Sequence, residues 1–530
     1  MRRTATPPDR RRTESSNSDG QTAVLRFLSE PAAYGLAAAQ VERIDTHGAI
    51  VFLAADRAYK VKRAVAYPYM DFSTLERRRR CCLNERAVNS RTAPDLYLDV
   101  VPVTRTDGKL ALGGDGEVVE WVVVMRRFDQ EALLSRLAEN GELTSEMMTA
   151  VAETIASFHD AATPRRRRAA GSAAMTWVVR ENGAEFAERG DIFDPDEAAH
   201  LGELGLAQLE RHAGLLDARA EDGAVRLCHG DLHLRNIVLL DGKPTLFDAI
   251  EFNDAIACID VFYDLAFLLM DLDHRGLRPF ANLVLNRYLQ QRGDVEGLAL
   301  LPLFLSARAA VRAKVAASLE AVAGAAPEKS HRRAEAEAYF RRAGAYLAPG
   351  EPRLVAIGGL SGTGKTTLAR ALAPLLGRAP GALHLRSDIL RKRLAGVPEN
   401  QRLPAASYTQ AASDEVYAAM QEVAAAALAA GQAVIVDAVF ARPRERAAAA
   451  RIARDAGAAF TGLWLEADPA VMVERVSARH GDASDADRAV VEKQLTYDVG
   501  SVEWRRLDAS TAFSRLRAEA ARILNLAADA

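Results

Sequence analysis

The chain has 530 residues, of which 49% are hydrophobic and 26% charged; this composition excludes a disordered protein and leaves room for about three structural units. Its net charge of −3 gives no general reason to expect a nucleic-acid partner, and its four cysteines form no CxxC pair, so neither zinc nor a disulfide framework is indicated and a reducing cytoplasm fits. No membrane span is expected, because the most apolar stretch, residues 423–440, contains Gly431, Gln432 and Asp437.

The chain is expected to begin with a disordered tail over residues 1–20, where arginines stand among Ser, Pro and Thr without the apolar core of a signal peptide. Residues 41–63 then alternate between apolar and polar side chains, which predicts strands joined by turns. Lys60 and Lys62 fall on the same side of the last of these strands. The alternative for this segment is a solvated edge strand without function.

A helix is predicted next. Residues 73–76, Ser-Thr-Leu-Glu, have the spacing of a capping box, which indicates a helix that continues to about Asn89. Glu85 on this helix is the candidate ion-pair partner of Lys60. The four consecutive arginines at 77–80 point to all sides of the helix, so a solvated run is favoured over a binding patch.

The most informative stretch is HGDLHLRN, which begins at His229 and is followed by a short apolar strand and Asp248. Asp231 and Asn236 have the spacing of a kinase catalytic loop, in which a metal-binding Asp comes later. Phosphoryl transfer needs a carboxylate that accepts the proton of an acceptor hydroxyl, and oxygen ligands that hold magnesium on the nucleotide phosphates. Asp231 is therefore the predicted proton acceptor, and Asn236 and Asp248 are the predicted magnesium ligands.

In the same kinase pattern, a strand lysine binds the α- and β-phosphates and a helix glutamate holds that lysine in place. Lys60 is the preferred candidate for the lysine, with Lys62 as the alternative, and Glu85 is the candidate glutamate.

Helical patterns dominate the middle of the chain. Asp260 and Asp264 are expected to brace the catalytic loop. Residues 181–197 contain seven acidic residues and one arginine, and this predicted acidic helix could receive a cationic substrate, with a solvated face as the alternative. Arg308 and Arg312, four residues apart on one helix face, would instead favour an anion.

A second phosphate-binding motif follows a domain boundary near Gly350. An apolar strand at 354–357 leads into GLSGTGKT and a helix, which is the P-loop motif in its required context. Strands at 384–387, 434–437 and 460–466 alternate with helices, so the sheet is expected to be parallel with helices on both faces. The predicted nucleotide ligands of this motif are Gly359, Ser361, Gly362, Thr363, Gly364, Lys365, Thr366 and Thr367.

In a P-loop the glycines let backbone N–H groups wrap a phosphate, while the lysine reaches the β- and γ-oxygens. Lys365 is that lysine, and Thr366 is the predicted magnesium ligand. Asp437, which ends an apolar strand, is the predicted outer-shell magnesium ligand.

The HGDLHLRN stretch resembles the catalytic loop of the aminoglycoside and choline phosphotransferase family, kinases with a protein-kinase-like two-lobed fold. Leu234 and Arg235 stand where many members have Pro and Gly, but neither position supplies a proton acceptor or a metal ligand. The resemblance implies that the apolar segment 118–128 ends in a hinge that binds adenine through its backbone, which places Met125 to Arg127 near the base.

The second half resembles small P-loop kinases such as gluconate kinase, chloramphenicol phosphotransferase, polynucleotide kinase and the zeta toxins. This resemblance implies that Asp388 accepts the proton, that Arg391 helps to bind the substrate, and that Arg475 and Arg479 are lid arginines. The alternatives are that Asp388 is only a helix N-cap and Arg479 only a surface residue. Taken together, the chain from residue 20 resembles bifunctional aminoglycoside phosphotransferase/ATP-binding proteins.

The predicted fold is therefore an α+β protein-kinase-like two-lobed fold over residues 21–349, followed by an α/β P-loop kinase fold with a parallel sheet over residues 350–530. Within the first domain, residues 21–128 are the predicted N-lobe and hinge, and residues 129–349 the C-lobe and linker.

The predicted function is transfer of the γ-phosphate of ATP, with Mg²⁺, to hydroxyl groups of small molecules at two nucleotide sites. One alternative is that the P-loop half is a regulatory ATP sensor. The other is a nucleic-acid end kinase, which would need stacking aromatics in a basic groove; aromatic residues make up only 6% of the chain and none cluster near Asp388. The residues leave the acceptor and the oligomeric state open.

Overall fold

The computed structural model describes residues 18–37, 40–67, 70–478 and 483–526. Up to residue 143 the elements are α1 (Ser18–Ser29), β1 (Glu42–Asp45), β2 (Ala49–Ala54), β3 (Arg57–Lys62), β4 (Ala66–Tyr67), β5 (Met70–Asp71), α2 (Leu75–Asn89), β6 (Tyr97–Thr106), β7 (Lys109–Leu112), β8 (Glu117–Arg126) and α3 (Leu134–Glu139). From there to residue 352 they are α4 (Ser145–Ala161), α5 (Ser172–Glu188), α6 (Pro195–Asp222), β9 (Val225–Leu227), β10 (Ile237–Leu240), β11 (Lys243–Leu246), α7 (Asp254–Ala257), β12 (Cys258–Asp260), α8 (Val261–His274), α9 (Arg278–Arg292), α10 (Leu301–Val322) and α11 (Ala326–Leu347). The remaining elements are β13 (Arg353–Gly358), α12 (Lys365–Leu372), β14 (Leu383–Arg386), α13 (Ser387–Leu394), α14 (Gln410–Ala429), β15 (Val434–Asp437), α15 (Pro443–Asp455), β16 (Ala459–Glu466), α16 (Pro469–Ser477), α17 (Arg488–Leu495), β17 (Arg505–Asp508) and α18 (Phe513–Ile523).

The chain divides into two compact units. The first contains the described residues up to 143 together with 157–166 and 222–264, and the second contains 144–156, 167–221 and the chain from 265 onward. The predicted tail lies outside the described residues as far as residue 17. Residues 18–20 belong to α1, so the helix begins before the predicted end of the tail.

The first unit is built on an antiparallel six-stranded sheet with the order β1-β2-β3-β8-β6-β7. Side chains alternate between its faces, as the pleat requires. One face packs against Val24 and Leu28 of α1, and the other packs against Cys82 of α2. Since β3 lies between β2 and β8, the alternative of a solvated edge strand is wrong. The same alternation turns Lys60 and Lys62 toward the face that α2 covers.

Helix α2 corrects two predictions. Its N-cap is Thr74, whose side chain accepts a hydrogen bond from the N–H of Arg77, rather than Ser73. The hydroxyl of Ser73 instead donates a hydrogen bond at 2.6 Å to the carboxylate of Asp71, which precedes the helix. Of the four arginines that follow, Arg78 is not solvated: it is buried and its Nε lies 2.8 Å from Glu120 of β8. Helical spacing directs this position toward the sheet, where the carboxylate neutralises it.

The second unit contains a parallel five-stranded sheet with the order β14-β15-β13-β16-β17. Val355 and Ile357 of β13 pack with α12 and α18 on one face. On the other face Leu354 lies with Met420 of α14 and Ala449 of α15. The three predicted strands after β13 are confirmed. The short edge strand β17 was not predicted, because in Arg-Arg-Leu-Asp only one residue is apolar.

The helices of the second unit correct the prediction for residues 181–197. This acidic segment is not one helix, because α5 ends at Glu188 and Pro195 begins α6. Its charges are partly neutralised: Glu181 pairs with Lys314, and Asp191 pairs with Arg189 and Arg333.

Helix α9 runs beside the edge strand β14. Asn286 accepts a hydrogen bond from the N–H of His384 at 2.7 Å, and Asn282 and Asn286 donate to the carbonyl of Ala382 at 3.0 and 3.1 Å. Both asparagines are buried. The start of β14 is thus hydrogen-bonded on the side that no strand covers.

Among the described residues, no helix combines the length and the apolar character that a transmembrane span requires.

Candidate active sites

The first site contains a cluster of buried charges between β3 and α2. The ammonium of Lys60 lies 2.7 Å from one oxygen of Glu85 and 2.5 Å from Asp248. Lys62 lies 2.6 Å from the other oxygen of Glu85 and also pairs with Glu251. The structure therefore brings together Lys60 and Glu85 as predicted, and of the two lysines it is Lys60 that reaches the predicted magnesium ligand Asp248.

At Lys60, Lys62 and Glu85 the neighbouring charges stabilise the ionised form. Burial raises the pKa of a carboxyl group, but at Glu85 the charges of Lys60 and Lys62 outweigh it and lower the pKa to about 2. Conversely, burial lowers the pKa of an ammonium, yet the neighbouring carboxylates raise the pKa of both lysines above the usual value. Glu251 has its pKa raised by burial, in part offset by Lys62. The lysines are therefore cations.

The catalytic loop follows β9. The amide nitrogen of Asn236 donates to the carboxylate and to the carbonyl of Asp231, both at 2.9 Å. The Asp231 side chain is 39% exposed, and the Nε2 of His233 lies 3.4 Å from it. Since the amide nitrogen of Asn236 faces Asp231, its amide oxygen is directed elsewhere and can accept a cation. The predicted proton acceptor is thus held by the predicted metal ligand and remains accessible.

Asp264 braces this loop, as predicted. Its carboxylate accepts the N–H groups of His229 and Gly230 at 3.0 and 2.8 Å and lies 3.1 Å from the ring of His159. All of these groups are buried. The other predicted brace, Asp260, accepts the N–H of Phe262 at the start of α8. His159 lies in the last turn of α4, and its contact with Asp264 is an ion pair or a hydrogen bond.

Asp248 has a left-handed backbone, with φ at +60°, which is costly for most residues and tolerated by Asp. Hydrogen bonds hold it there. The hydroxyl of Tyr97 accepts the N–H of Asp248 at 3.0 Å, and the side chain of Asn89 accepts the N–H of Ala249 at 2.7 Å. The His229 ring lies 2.9 Å from the carbonyl of Phe247. The carboxylate of Asp248 itself is 42% exposed.

The predicted hinge lies at the end of β8. Met125 is buried in the core between the sheet and α2. The next two N–H groups are already used inside the protein, since Arg126 donates to Leu96 and Arg127 donates to Asp56. A cavity of about 310 Å³ lies beside Asp56 and Phe128. The adenine contact of Met125 stays a prediction.

The second site is the loop between β13 and α12. Gly359, Gly362 and Gly364 have φ of +139°, +86° and +88°, which side-chain-bearing residues rarely adopt. At Gly362 a Cβ would also lie 2.5 Å from the carbonyl oxygen of Met472. The glycines are therefore required for this loop shape, and Thr363 and Ser361 are buried within it. Thr367 follows as an exposed residue of α12.

The lysine and the threonine of the P-loop motif each make a side-chain hydrogen bond. The ammonium of Lys365 donates to the carbonyl of Leu360 at 3.0 Å, at the mouth of the loop. The hydroxyl of Thr366 donates to Asp437 at 2.6 Å, which brings the two predicted metal-site residues together. Burial would raise the pKa of Asp437, but the hydrogen bond from His384 and the charges of His384, Lys365 and Arg386 lower it to about 2.

Asp388 lies in the first turn of α13, whose N-cap is Arg386, so the alternative that Asp388 is only the N-cap is wrong. Its pKa is raised by burial and by Asp437, against the charges of Arg386 and Lys365. The charge of Lys365 therefore acts on Asp388, and the role of Asp388 as proton acceptor stays a prediction. Arg391, the predicted substrate ligand, donates to the carbonyl of Ser407 at 2.7 Å and lies over the ring of Tyr408.

Arg475, on α16, donates to the carbonyl of Ala509 at 2.9 Å and, more weakly, at 3.5 Å to that of Gly362 in the P-loop. It therefore lies beside the phosphate-binding loop. Arg479, the second predicted lid arginine, lies outside the described residues. Gln494 was not predicted, yet its side chain accepts the N–H of Ser361 at 2.7 Å.

Asp485 was also missed by the sequence analysis. It lies 3.0 Å from the ammonium of the buried Lys392 and accepts the hydroxyl of Tyr408 and the N–H of Leu403. These contacts join the segment after α16 to α13 and to the loop that holds Arg391. Lys392 and Asp485 are 93 residues apart in the chain, so no local pattern could have paired them.

Comparison with known proteins finds one domain match in each half of the chain. The model of the phosphotransferase enzyme family matches residues 72–301, and the model of an AAA domain matches residues 354–497. Protein Rv2004c of Mycobacterium tuberculosis and protein Mb2027c of Mycobacterium bovis are each 32% identical to the chain over 469 residues, which is 86% of this chain and 90% of each relative.

Among solved structures, a choline/ethanolamine kinase family protein from Mesorhizobium loti is 14% identical and covers 62% of this chain and 99% of its own, with a TM-score of 0.37. The APS kinase CysC of Mycobacterium tuberculosis is 20% identical and covers 34% of this chain and 98% of its own, with a TM-score of 0.24. Scores this low carry no argument about the substrate.

The two domain matches and the parallel P-loop sheet confirm the predicted fold classes and the predicted enzyme class. The chain therefore belongs to the family of Rv2004c, and it is a kinase in which a domain of the phosphotransferase enzyme family is followed by a P-loop AAA domain.

Proposed function

We propose that the chain is an ATP- and magnesium-dependent kinase with two nucleotide sites, and that each site transfers a γ-phosphate to a hydroxyl group of a small molecule. The observation that carries this proposal is that each domain contains a lysine, side-chain oxygens that could ligate a cation and a further carboxylate in contacting segments. These residues are Lys60 with Asn236, Asp248 and Asp231 in the first domain, and Lys365 with Thr366, Asp437 and Asp388 in the second. In the first domain the N–H of Phe247, next to Asp248, donates to the carbonyl of Asn236 at 3.0 Å. The proposed functional domains are residues 21–349 and 350–530.

At the first site, Asp231 is the proposed proton acceptor. The acceptor oxygen forms its bond to the γ-phosphorus, the bond to the bridging β–γ oxygen breaks, and ADP leaves while the hydroxyl proton passes to a carboxylate oxygen of Asp231. The exposure of this carboxylate and its contact with Asn236 support that role. Lys60 would neutralise charge on the α- and β-phosphates, and Glu85 and Asp248 hold its ammonium in position.

The residues fit magnesium at both sites. Asn236 and Asp248 offer an amide oxygen and a carboxylate, and Thr366 with Asp437 offers a hydroxyl oxygen and a carboxylate of lowered pKa. Hard oxygen donors of this kind are those that magnesium prefers. Bound there, the ion would neutralise charge on the phosphate oxygens.

At the second site, Asp388 is the proposed proton acceptor and Arg391 the proposed substrate ligand. The electrostatic interaction of Asp388 with Lys365 and Asp437 supports its role, because a P-loop kinase needs a base close to the γ-phosphate. Arg391 is held by Ser407 and Tyr408, which would orient its guanidinium toward an acceptor bound against α13. A small hydroxylated molecule is the class of acceptor proposed here for this chain.

The number of nucleotide sites is tested by titration calorimetry of the full chain with magnesium and a non-hydrolysable ATP analogue. We expect two sites in the wild type, one in Lys60→Ala, one in Lys365→Ala and none in the double variant. A single site in the wild type, lost in one variant and unchanged in the other, would contradict the proposal and identify the site that is degenerate.

The chemistry is tested by screening sugars, amino sugars, nucleosides and antibiotics for acceptor-dependent ADP release. Asp231→Asn should lower transfer at the first site by about 10²–10⁴ while nucleotide binding persists, because it removes the proton acceptor alone. The exposed Asp241→Asn is the matched control. Asp388→Asn should do the same at the second site, with the exposed Asp455→Asn as control. If no acceptor responds to Asp388→Asn and ATP hydrolysis is unchanged, the P-loop domain is a nucleotide sensor instead.

A further inference from the structure

A cavity of about 500 Å³ lies in the second unit, away from the P-loop. Its wall includes the segment before β13 and the loop after α12, which leads to β14. Both parts lie at the amino-terminal edge of the parallel sheet, whereas the P-loop follows β13 at the carboxyl-terminal edge. The six residues of β13 separate the two edges by roughly 17 Å at 3.3 Å per residue. The cavity is therefore distinct from the nucleotide site.

The cavity is rich in arginine. Its lining includes two carboxylates, Asp273 and Glu351, and the four arginines Arg278, Arg342, Arg353 and Arg378. Four positive and two negative charges leave a formal excess of two positive charges. One carboxylate is already engaged, because Asp273 accepts hydrogen bonds from Arg342 at 2.9 Å and from the hydroxyl of Tyr346 at 2.7 Å. The acidic residues of the wall therefore do not balance its cations.

Three of these guanidinium groups, those of Arg278, Arg353 and Arg378, donate only to carbonyl oxygens among the described residues. Arg278 donates to Gly377 at 2.8 Å, and Arg378 donates to Ala430. The Nε atoms of Arg278 and Arg378 are buried and have no hydrogen-bond partner in the described part of the chain. Burial lowers the pKa of both groups, and no carboxylate offsets it at Arg378. Both side chains are half-buried, and a partly desolvated cation without an ion-pair partner has unused capacity to bind an anion.

The backbone around Arg378 leaves room for its guanidinium. At Gly431 a Cβ would lie 2.7 Å from the Nη2 of Arg378, and the backbone there has φ of +75°. A residue with a side chain at this position would displace the guanidinium. At Gly350 a Cβ would lie 3.4 Å from the aliphatic part of the same side chain. The two glycines thus leave the space that the Arg378 side chain occupies.

We propose that this cavity is a binding site for a small phosphate-bearing anion, held chiefly by Arg278 and Arg378. The excess of two positive charges matches a phosphate dianion better than a monocarboxylate. Guanidinium groups also offer the paired donors that phosphate oxygens accept. The volume exceeds that of inorganic phosphate alone, so a phosphate monoester of a small metabolite is the expected natural form. The loop that carries Arg378 connects α12, which begins at Lys365, to β14.

The test uses the full chain saturated with magnesium and a non-hydrolysable ATP analogue, so that both proposed nucleotide sites are occupied. Inorganic phosphate and glycerol 3-phosphate are then titrated separately by calorimetry, with acetate at matched ionic strength as the control anion. We expect saturable binding of both phosphates and no binding of acetate. Whichever of the two binds more tightly shows whether the natural ligand is free phosphate or a phosphate monoester. The double variant Arg278→Gln/Arg378→Gln should bind at least tenfold more weakly, whereas Arg451→Gln, an exposed arginine of α15, should bind like the wild type.

A second variant separates loss of binding from loss of folding. Ala345 is an exposed residue of α11 on the cavity wall, so Ala345→Glu supplies a carboxylate to the arginines without removing any of them. It should abolish phosphate binding and raise the thermal midpoint of the protein. Absence of phosphate binding in the wild type, or wild-type binding in either Ala345→Glu or the double arginine variant, would overturn the proposal.

Discussion

The charge cluster around Glu85 predicts that its two lysines fail in different ways when each is replaced by the isosteric, uncharged Met. Lys60, Lys62, Glu85, Glu251 and Asp248 carry two positive and three negative charges, so either substitution leaves the carboxylates in larger excess. The difference lies in burial. Glu85 and Glu251 are buried, whereas Asp248 is 42% exposed and can be solvated.

Lys62→Met leaves Glu251 without its partner in the interior, and breaking a buried pair costs about 3–5 kcal/mol. We therefore expect local unfolding of β3 and α2 to become on the order of a hundredfold more frequent or more, since each 1.4 kcal/mol is a factor of ten. Lys60→Met exposes a carboxylate that water reaches, so its structural cost is smaller. Lys60→Met should instead weaken the binding free energy of the nucleotide by about 1.5–3 kcal/mol, which lowers the affinity about ten- to a hundredfold.

Hydrogen exchange followed by mass spectrometry on peptides from β3 and α2 measures the first effect, because it reports local opening without assuming two-state unfolding of the whole chain. Binding of a fluorescent ATP analogue measures the second, in a Lys365→Ala background that silences the P-loop. The reasoning is refuted if Lys62→Met exchanges like the wild type but loses the nucleotide, while Lys60→Met keeps it. That result would make Lys62 the phosphate ligand.

Three further predictions concern groups that position these sites. Asp264→Asn should lower the free energy of unfolding by about 1–3 kcal/mol and slow transfer at the first site, because an amide accepts the N–H groups of the catalytic loop less well than a carboxylate does. Hydrogen exchange of residues 225–236 measures the first effect and kcat the second. An unchanged kcat would show that transfer does not depend on this brace. Thr366→Ala should remove the magnesium dependence of nucleotide binding at the P-loop, whereas Thr366→Ser should retain it; equal magnesium titrations for the two variants would contradict the role of the hydroxyl. Asn286→Ala should lower the thermal midpoint through about 1–3 kcal/mol of lost hydrogen bonding to β14, and an unchanged midpoint would mean that water replaces the amide.

Local motifs made much of both sites predictable. The spacing of Asp231 and Asn236 is set within one loop, and the P-loop lies within one strand–turn–helix unit. Lys60 was preferred over Lys62 from its position in the strand, and both meet Glu85 because strand alternation turns them to one face. Their roles in catalysis stay predictions that the variants above test.

The unpredicted parts depend on contacts between distant segments. Tyr97 and Asn89 hold the backbone at Asp248 across separations of 151 and 160 residues, which no local periodicity encodes. The N-cap of α2 was misassigned for a different reason: Ser73 and Thr74 both suit that position, and the choice depends on Asp71 taking the serine hydroxyl. Similarly, Arg78 looks like its neighbours in the sequence, and only the burial of Glu120 distinguishes it.

The two asparagines of α9 have a consequence for how the chain avoids aggregation. The edge strand of an open sheet presents unpaired N–H and C=O groups to which a strand of another molecule can add. Here β14 is such an edge, and Asn282 and Asn286 occupy its first exposed backbone groups from a helix that lies before residue 350. Expression of residues 350–530 alone would remove that cover and leave β14 open, so this fragment should self-associate through β14 where the full chain does not.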